Sequence, residues 1–447
     1  MTGRTIREVA PLFLGTTPKG KGDVWMTLFL DHNKYYRLPW NLPDNAISWL
    51  EVTKACNMYC EGCYRENDPK GHKSLDEIKH ELEIFKKYRK TDGISLAGGD
   101  PLVHPDIVGI VRLIAQNGLK PIINTNGFAL DRELLQELKK AGAAGFTFHV
   151  DSKQHRPHWK GKTEVELNPL RLSFAELLAE VGGLSCAFNS TVYGDTLQSI
   201  PDIVEWGQKH IEIVHVLVFI AFRAAVLEKH FDYYAGGEKI DMAPVAYSTP
   251  EENQRLDILS NDIVEVIRTK YPDFEPCAYL NGTEKPDSFK WLLSGRIGTK
   301  KNIYGYVGPK FMELAQISHH FRHGKYLAYT KPSVQRHAKP MLLLAPLDRG
   351  IRGIAKNYLR SVGTNPFNLF KRLHLQSITI IQPGDILCDG TLSMCDGCPD
   401  ITVWNGQLVW SCRLEEQMKF GCFMRAVPKN GVRNQPHEYL SDASRKP

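Results

Sequence analysis

Between residues 46 and 222 the chain alternates short apolar runs with amphipathic stretches, and this alternation limits its fold more than any other feature. The runs are AISWLEVT (46–53), GISLA (93–97), KPIIN (120–124), GFTFHV (145–150), SCAFNSTVY (185–193) and IVHVLVFIAF (213–222). Each has the length and the β-branched or aromatic content of a strand. After the first, SLDEIKHELEIFKKYRK opens with Ser74 and Glu77, an S-x-x-E capping box, and puts Leu75, Ile78, Leu82 and Phe85 on one helical face. Further helices are expected from Asp106 to Gln116 and over DRELLQELKKAG. Apolar strands separated by amphipathic helices predict a parallel sheet covered by helices. Six such units build either an open partial barrel or a doubly wound sheet, and both gather functional groups at the C-terminal ends of the strands.

Directly after the first strand comes ACNMYCEGCYRE, with Cys56, Cys60 and Cys63 spaced C-x3-C-x2-C. The composition is that of a soluble globular protein, 42% hydrophobic and 24% charged, with a net charge of +6. No apolar run approaches a membrane span and no signal-type segment is evident, so a cytoplasmic location is expected. Clustered cysteines in a reducing compartment point to a metal or a catalytic role rather than to disulfides. A structural zinc site and a [4Fe–4S] cluster each usually take four protein ligands. An open-site cluster, with one iron left for another ligand, is the reading that accounts for three; structural zinc is the alternative.

The motif, its place after strand one and the strand-end motifs behind it resemble the radical SAM superfamily. The resemblance covers about residues 46–225. AGGDP (97–101) is similar to the family's Gly-Gly-Glu-Pro element, with Asp100 for the usual Glu; NTNG (124–127), FHVDS (148–152) and FNSTV (188–192) follow at later strand ends. The resemblance implies an α/β fold with a partial (β/α)6 barrel core. It implies that Cys56, Cys60 and Cys63 hold a [4Fe–4S] cluster whose fourth iron is chelated by S-adenosylmethionine. Gly98, Gly99, Asp100, Asn126, Asp151 and Asn189 are then the expected cofactor contacts: the glycines for close backbone approach, Asp100 for the methionine ammonium, Asp151 for ribose and Asn189 for the carboxylate. One departure is visible. The residue before the third cysteine is often aromatic in the family, but here it is Gly62, so the adenine-stacking role is expected to pass to Tyr64 or to be met by backbone. The implied reaction is reductive cleavage of S-adenosylmethionine to a 5′-deoxyadenosyl radical that abstracts hydrogen from an unactivated C–H.

Five more cysteines lie near the C-terminus: Cys388, Cys395, Cys398, Cys412 and Cys422. Asp389-Gly390 and Asn405-Gly406 signal hairpins between them. The expected ligand set is Cys388, Cys395, Cys398 and Cys412, with Cys422 as the alternative fourth ligand or a bystander. Spacing alone leaves zinc and a second Fe–S cluster equal; the resemblance, through the SPASM or twitch type of auxiliary domain, favours the cluster. Cys186 and Cys277 read as ordinary buried thiols.

The domains expected are an N-terminal extension (1–45, with one strand-like piece, VWMTLFL), the radical SAM core (46–225), a substrate-side region (226–380) and a cysteine-rich metal domain (381–447). Residues 320–375 form an island of eleven Lys/Arg and one acid, Asp348, among apolar pieces such as KPMLLLAPL and NPFNLFKRLHL. That island suits anionic lipid headgroups or, as a bland reading, a solvated connector. The partners expected are an electron donor such as ferredoxin or flavodoxin and a large or lipid-like substrate, with peripheral membrane contact and no specific nucleic acid. A peptide-modifying enzyme of the SPASM type is the alternative, and a metal-stabilised RNA- or membrane-binding protein is the alternative of another class. His149, His319 and His320 read as structural or surface histidines.

Overall fold

A computed structural model describes residues 30–226, 231–249 and 258–429. Of VWMTLFL only Leu30 falls within them. All six expected core strands form: β2 (Ile47–Thr53), β3 (Gly93–Gly98), β4 (Lys120–Thr125), β5 (Gly145–His149), β6 (Ser185–Val192) and β7 (Val216–Ala221), preceded by a short β1 (Tyr36–Arg37). Helices α1 (Leu75–Tyr88), α2 (Ile107–Gln116), α3 (Arg132–Ala141), α4 (Asn168–Val181) and α5 (Ile200–Lys209) connect them. Strands β2 to β7 are parallel and lie side by side in chain order. No switch point interrupts that order, which selects the partial barrel over the doubly wound sheet.

The local signals act as their chemistry demands. The Ser74 hydroxyl accepts from Glu77 N–H at 3.3 Å, and the Glu77 carboxylate accepts from Ser74 N–H at 2.7 Å. Ile78, Leu82 and Phe85 are buried, whereas Leu75, in the first turn, stays exposed. Along the strands alternate side chains separate by chemistry. Phe146 and Phe148 stack at 5.7 Å, and Phe148 lies 4.7 Å from Phe174 of α4, on the helix-covered side. Ser95, Asn124, Thr147, His149, Asn189 and Thr191 line the hollow.

The sheet does not stop at residue 225. Beyond β7 it continues through β11 (His374–Ile381, parallel to β7), β9 (Trp291–Gly298), β8 (Ala278–Leu280) and β1, with β10 (Ile303–Tyr306) paired to β9. The alternation fades here because β8 to β10 and β11 pair antiparallel and need no crossover helices between them. Both C-terminal hairpins form, Asp385–Ile386 with Leu392–Ser393 and Ile401–Trp404 with Gln407–Trp410. In the second, Asn405 and Gly406 have φ of 47° and 77°, as a type I′ turn requires. The segment is sewn to the core: Asn45 donates to Gly397 O at 2.9 Å and Arg89 to Cys398 O at 2.7 Å. Among the described residues no helix is long and apolar enough to cross a membrane.

Candidate functional site

A cavity of about 1520 Å³ occupies the barrel interior and its C-terminal mouth. Cys56, Cys60, Cys63, Tyr64, Gly98, Gly99, Asp100, Asn126, Asp151 and Asn189 all line it, as do Cys388, Cys395, Cys398 and Cys412. The structure thus brings every expected site residue to one hollow. Cys422 is half-buried and is not among its lining residues. Cys186 and Cys277 are buried elsewhere, at 1% and 0% exposure.

The first three thiols lie on the loop after β2. Burial pushes all three upward in pKa, and for Cys60 the nearby Asp151, Cys63 and Cys56 add to it. Asn67 clamps Cys56 on both sides of its peptide: Cys56 N–H donates to the Asn67 side chain at 2.9 Å, and that amide donates to Cys56 O at 3.0 Å. Asn126 donates to Asn57 at 2.7 Å and to Cys56 Sγ at 3.8 Å, so it reaches the thiol directly.

Gly98 and Gly99 have a structural cause more specific than cofactor approach. A Cβ on Gly98 would lie 2.0 Å from Thr53 O, and one on Gly99 would lie 2.1 Å from Ala55 O. Gly98 also has φ of +125°. Their bareness lets the end of β3 press on the backbone that leads into the cysteines. Asp100 is engaged by the protein itself. Its carboxylate accepts from Leu102 N–H at 2.9 Å, Asn126 N–H at 2.7 Å and the Thr125 hydroxyl at 2.8 Å. Its oxygens organise the β3 and β4 ends and are largely spent there. Asp151 accepts from His149 Nε2 at 2.6 Å and from Lys153 N–H at 3.0 Å, capping the turn Ser152–Gln154. Burial raises its carboxyl, but His149 together with the Thr191 and Lys153 N–H groups brings the net shift down.

Asn189 stands apart. Its Oδ1 is buried with no hydrogen-bond partner in the protein, as are Thr147 Oγ1 and Gln335 Oε1, and all three residues line the cavity. An orphaned acceptor of this kind costs about 1–3 kcal/mol unless a ligand satisfies it. Tyr64 lines the cavity with the Arg65 guanidinium 4.4 Å above its ring. The space next to Gly62, however, is filled from other strands. A Cβ on Gly62 would lie 2.4 Å from the Phe222 ring and 3.1 Å from Tyr193 Oη. Phe222 and Tyr193 pack at 4.7 Å, and Tyr193 donates to Glu61 O at 2.8 Å. An aromatic surface therefore meets the cysteine loop from the ends of β6 and β7, which sequence reading missed.

Two buried arginines were also missed, because a lone Arg in a loop carries no positional signal. Arg156 donates to Asn126 O at 2.5 Å and His149 O at 2.7 Å; burial pulls it down to about 10 against the opposing pull of Cys60 and Asp151. Arg65 donates to the Glu51 carboxylate at 2.8 Å and to Ser411 O at 2.5 Å.

In the second group, the neighbouring Cys395 thiol and then burial push the Cys398 thiol well up. Burial, then Cys398, pushes Cys412 up to about 12, and burial takes Asp400 up to about 7. Among the described residues no three His, Cys, Asp or Glu side chains are drawn tightly together as a metal cage. The thiol chemistry suits soft metals: Cys56, Cys60 and Cys63 share one loop, and Cys398 lies within electrostatic reach of Cys395 and Cys412.

Residues 50–207 match the model of the Radical SAM superfamily. The AdoMet-dependent heme synthase of Methanosarcina barkeri is 32% identical over 115 residues, which is 25% of this chain and 32% of that protein. The probable GTP 3′,8-cyclase of Methanococcus maripaludis is 24% identical over 186 residues, 41% of this chain and 62% of its own length. In both cases the chain spans less than two thirds of the relative. SuiB of Streptococcus suis bound to its precursor peptide SuiA superposes with a TM-score of 0.33 and 16% identity over 40% of each chain, too loosely to carry detail across.

Proposed function

We propose that this chain, whose core belongs to the radical SAM superfamily, is an enzyme that reductively cleaves S-adenosylmethionine and uses the radical on a large substrate. The observation that carries the reading is the meeting of Cys56, Cys60, Cys63 and the unsatisfied Asn189 on one cavity wall at the strand ends. In this reading the three thiols hold a [4Fe–4S] cluster. When bound, that cluster and S-adenosylmethionine supply a 5′-deoxyadenosyl radical that abstracts hydrogen from an unactivated C–H.

The protein's own groups position and protect. Asn126 and Asn67 fix Cys56. Asn189 is proposed to donate from its side-chain amide to the cofactor's carboxylate, leaving Oδ1 for a donor such as the cofactor's ammonium, and Phe222 with Tyr193 offers an aromatic face where Gly62 has no side chain. Arg156 supplies positive charge beside Cys60 and steadies the β4 and β5 ends. The barrel wall keeps water from a reactive centre. Cys388, Cys395, Cys398 and Cys412 are proposed to hold a second centre, an Fe–S cluster in preference to zinc.

The cavity's size supports a large substrate, and its wall of Val216, Val218, Ile220, Leu293 and Met312 supports a lipid-like one. A one-electron reductant is required by the chemistry, and a donor of the ferredoxin or flavodoxin class is the proposed source. The test is the electron paramagnetic resonance signal of the reduced, reconstituted protein. A signal that changes when S-adenosylmethionine is added, and does not in Cys60→Ala, supports the reading. A signal indifferent to S-adenosylmethionine contradicts it.

A further inference from the structure

The basic island has no place in the chemistry above, and its folded form is unusual. It contributes the end of the helix Pro309–His323, a 3-10 stretch (Lys339–Leu344), the helix Arg349–Thr364 and a second 3-10 stretch (Pro366–Phe370). The long helix buries Ile351, Ile354 and Tyr358 against the protein. Its outer side exposes Arg349, Arg352, Lys356 and Arg360, spaced three, four and four residues apart, hence in one stripe. The two 3-10 stretches are tied together beside it: Lys339 donates to Leu369 O at 2.6 Å, and Tyr358 donates to Asn368 O at 3.3 Å.

These same pieces expose large apolar side chains. Leu343 is 82% exposed, Phe367 76% and Phe370 80%, with Leu347, Leu359 and Leu369 also exposed. Six of the sixteen large hydrophobics exposed among the described residues thus fall between 343 and 370. That density is not the scatter of single apolar residues expected of an ordinary surface. None of the eleven Lys and Arg of the island forms an ion pair among the described residues, and the island's single acid, Asp348, is buried. Asp348 accepts from Gly308 N–H at 2.9 Å and Ile351 N–H at 2.8 Å. The exposed charge of this face is therefore all of one sign.

We infer that this face docks on an anionic lipid bilayer. A protein partner of opposite charge satisfies the arginines but gives no reason for phenylalanines and leucines set among them. A nucleic acid satisfies the charges and leaves the aliphatic leucines in water. A bilayer interface takes both at once: headgroup phosphates pair with the basic stripe while Leu343, Phe367 and Phe370 enter the acyl boundary. Met312, Gln316, Leu327, Ala328 and Tyr329, which precede the face in the chain, line the cavity. The inference stands on the surface itself and does not need the lipid-like substrate reading.

The experiment is flotation of the full chain with phosphatidylcholine vesicles, with and without phosphatidylglycerol, at low and high salt. Wild type is expected to float with the anionic vesicles, and less at high salt. The triple variant R352Q/K356Q/R360Q is expected to bind about a hundred-fold more weakly, at about five-fold per charge. F367S/F370S is expected to lose binding at all salt concentrations while keeping the wild-type melting temperature. Cleavage of S-adenosylmethionine by both variants should match wild type, so failure here is separable from failure of the proposed function. No flotation with anionic vesicles overturns the inference. So does equal flotation with neutral ones, or binding to RNA that the F367S/F370S change leaves intact while vesicle binding is absent.

Discussion

Arg65, two residues after the last cysteine of the first group, donates across to the carbonyl of Ser411, the residue before Cys412 in the second group, at 2.5 Å. The same guanidinium is neutralised by Glu51 of β2, and both side chains are nearly sealed from solvent. One buried ion pair therefore links strand β2, the loop holding Cys63 and the segment holding Cys412. Geometry at one cysteine group is not independent of the other.

Removing Arg65 leaves Glu51 charged and buried without its partner. Arg65→Gln is expected to cost about 3–5 kcal/mol in unfolding free energy, and Glu51→Gln/Arg65→Gln much less, because no unpaired charge remains. Denaturant unfolding of the three proteins checks it. Equal losses in the single and double variants would show that the pair is not what stabilises the junction.

Asn189→Leu trades the orphaned oxygen for an apolar group of similar size. The expected outcome is a protein no less stable than wild type, which binds S-adenosylmethionine about ten-fold more weakly. Thermal melting together with equilibrium dialysis reads both. A stability loss with unchanged affinity would assign Asn189 to the core instead.

Phe222→Ala removes the ring packed on Gly62. An aromatic contact with adenine is worth about 1 kcal/mol beyond its area, so affinity for S-adenosylmethionine should fall about ten-fold while cluster absorbance is retained. Tyr64→Ala serves as the comparison. If it lowers affinity and Phe222→Ala does not, the adenine lies where sequence reading first put it.

His215 accepts from Cys186 N–H through Nδ1 and is pulled down to about 4 by burial, with Arg336 and His374 adding to the effect. Its folded pKa is below its unfolded value, so the unfolded chain binds more protons as pH falls through this range. The stabilisation is complete above the unfolded pKa and is lost progressively toward the folded one. Between about pH 7 and about pH 5 this group should remove about 2 kcal/mol. Urea unfolding of wild type against His215→Gln at both pH values measures it, and the variant should show the shallower dependence. Parallel pH profiles would assign the loss to other groups.

Much of this was legible in the sequence because the relevant signals are local. The Ser74–Glu77 capping box, the Asn405-Gly406 turn and the six apolar runs each depend on residues a few positions apart. Fourteen expected positions line the cavity, and the ten in the core were legible for another reason: a strand end followed by a polar residue marks the rim of a β/α sheet. What stayed hidden depends on distant pairing. Strand β11 joins the core sheet beside β7 from more than 150 residues away. The close approach of the Thr53 and Ala55 carbonyls to Gly98 and Gly99 depends on the loop after β2 folding back over β3. Phe222 and Tyr193 were invisible as partners of Gly62 because only the closing of the barrel brings β6 and β7 over the cysteine loop.

The central claim is that Cys56, Cys60 and Cys63 serve S-adenosylmethionine cleavage and are not merely structural. The most direct measurement is release of 5′-deoxyadenosine by anaerobically reconstituted protein given dithionite and S-adenosylmethionine. The account predicts release by wild type and none by Cys60→Ala that still carries iron at the C-terminal cysteines. Release that survives Cys60→Ala, or no release from fully iron-loaded wild type, would contradict it.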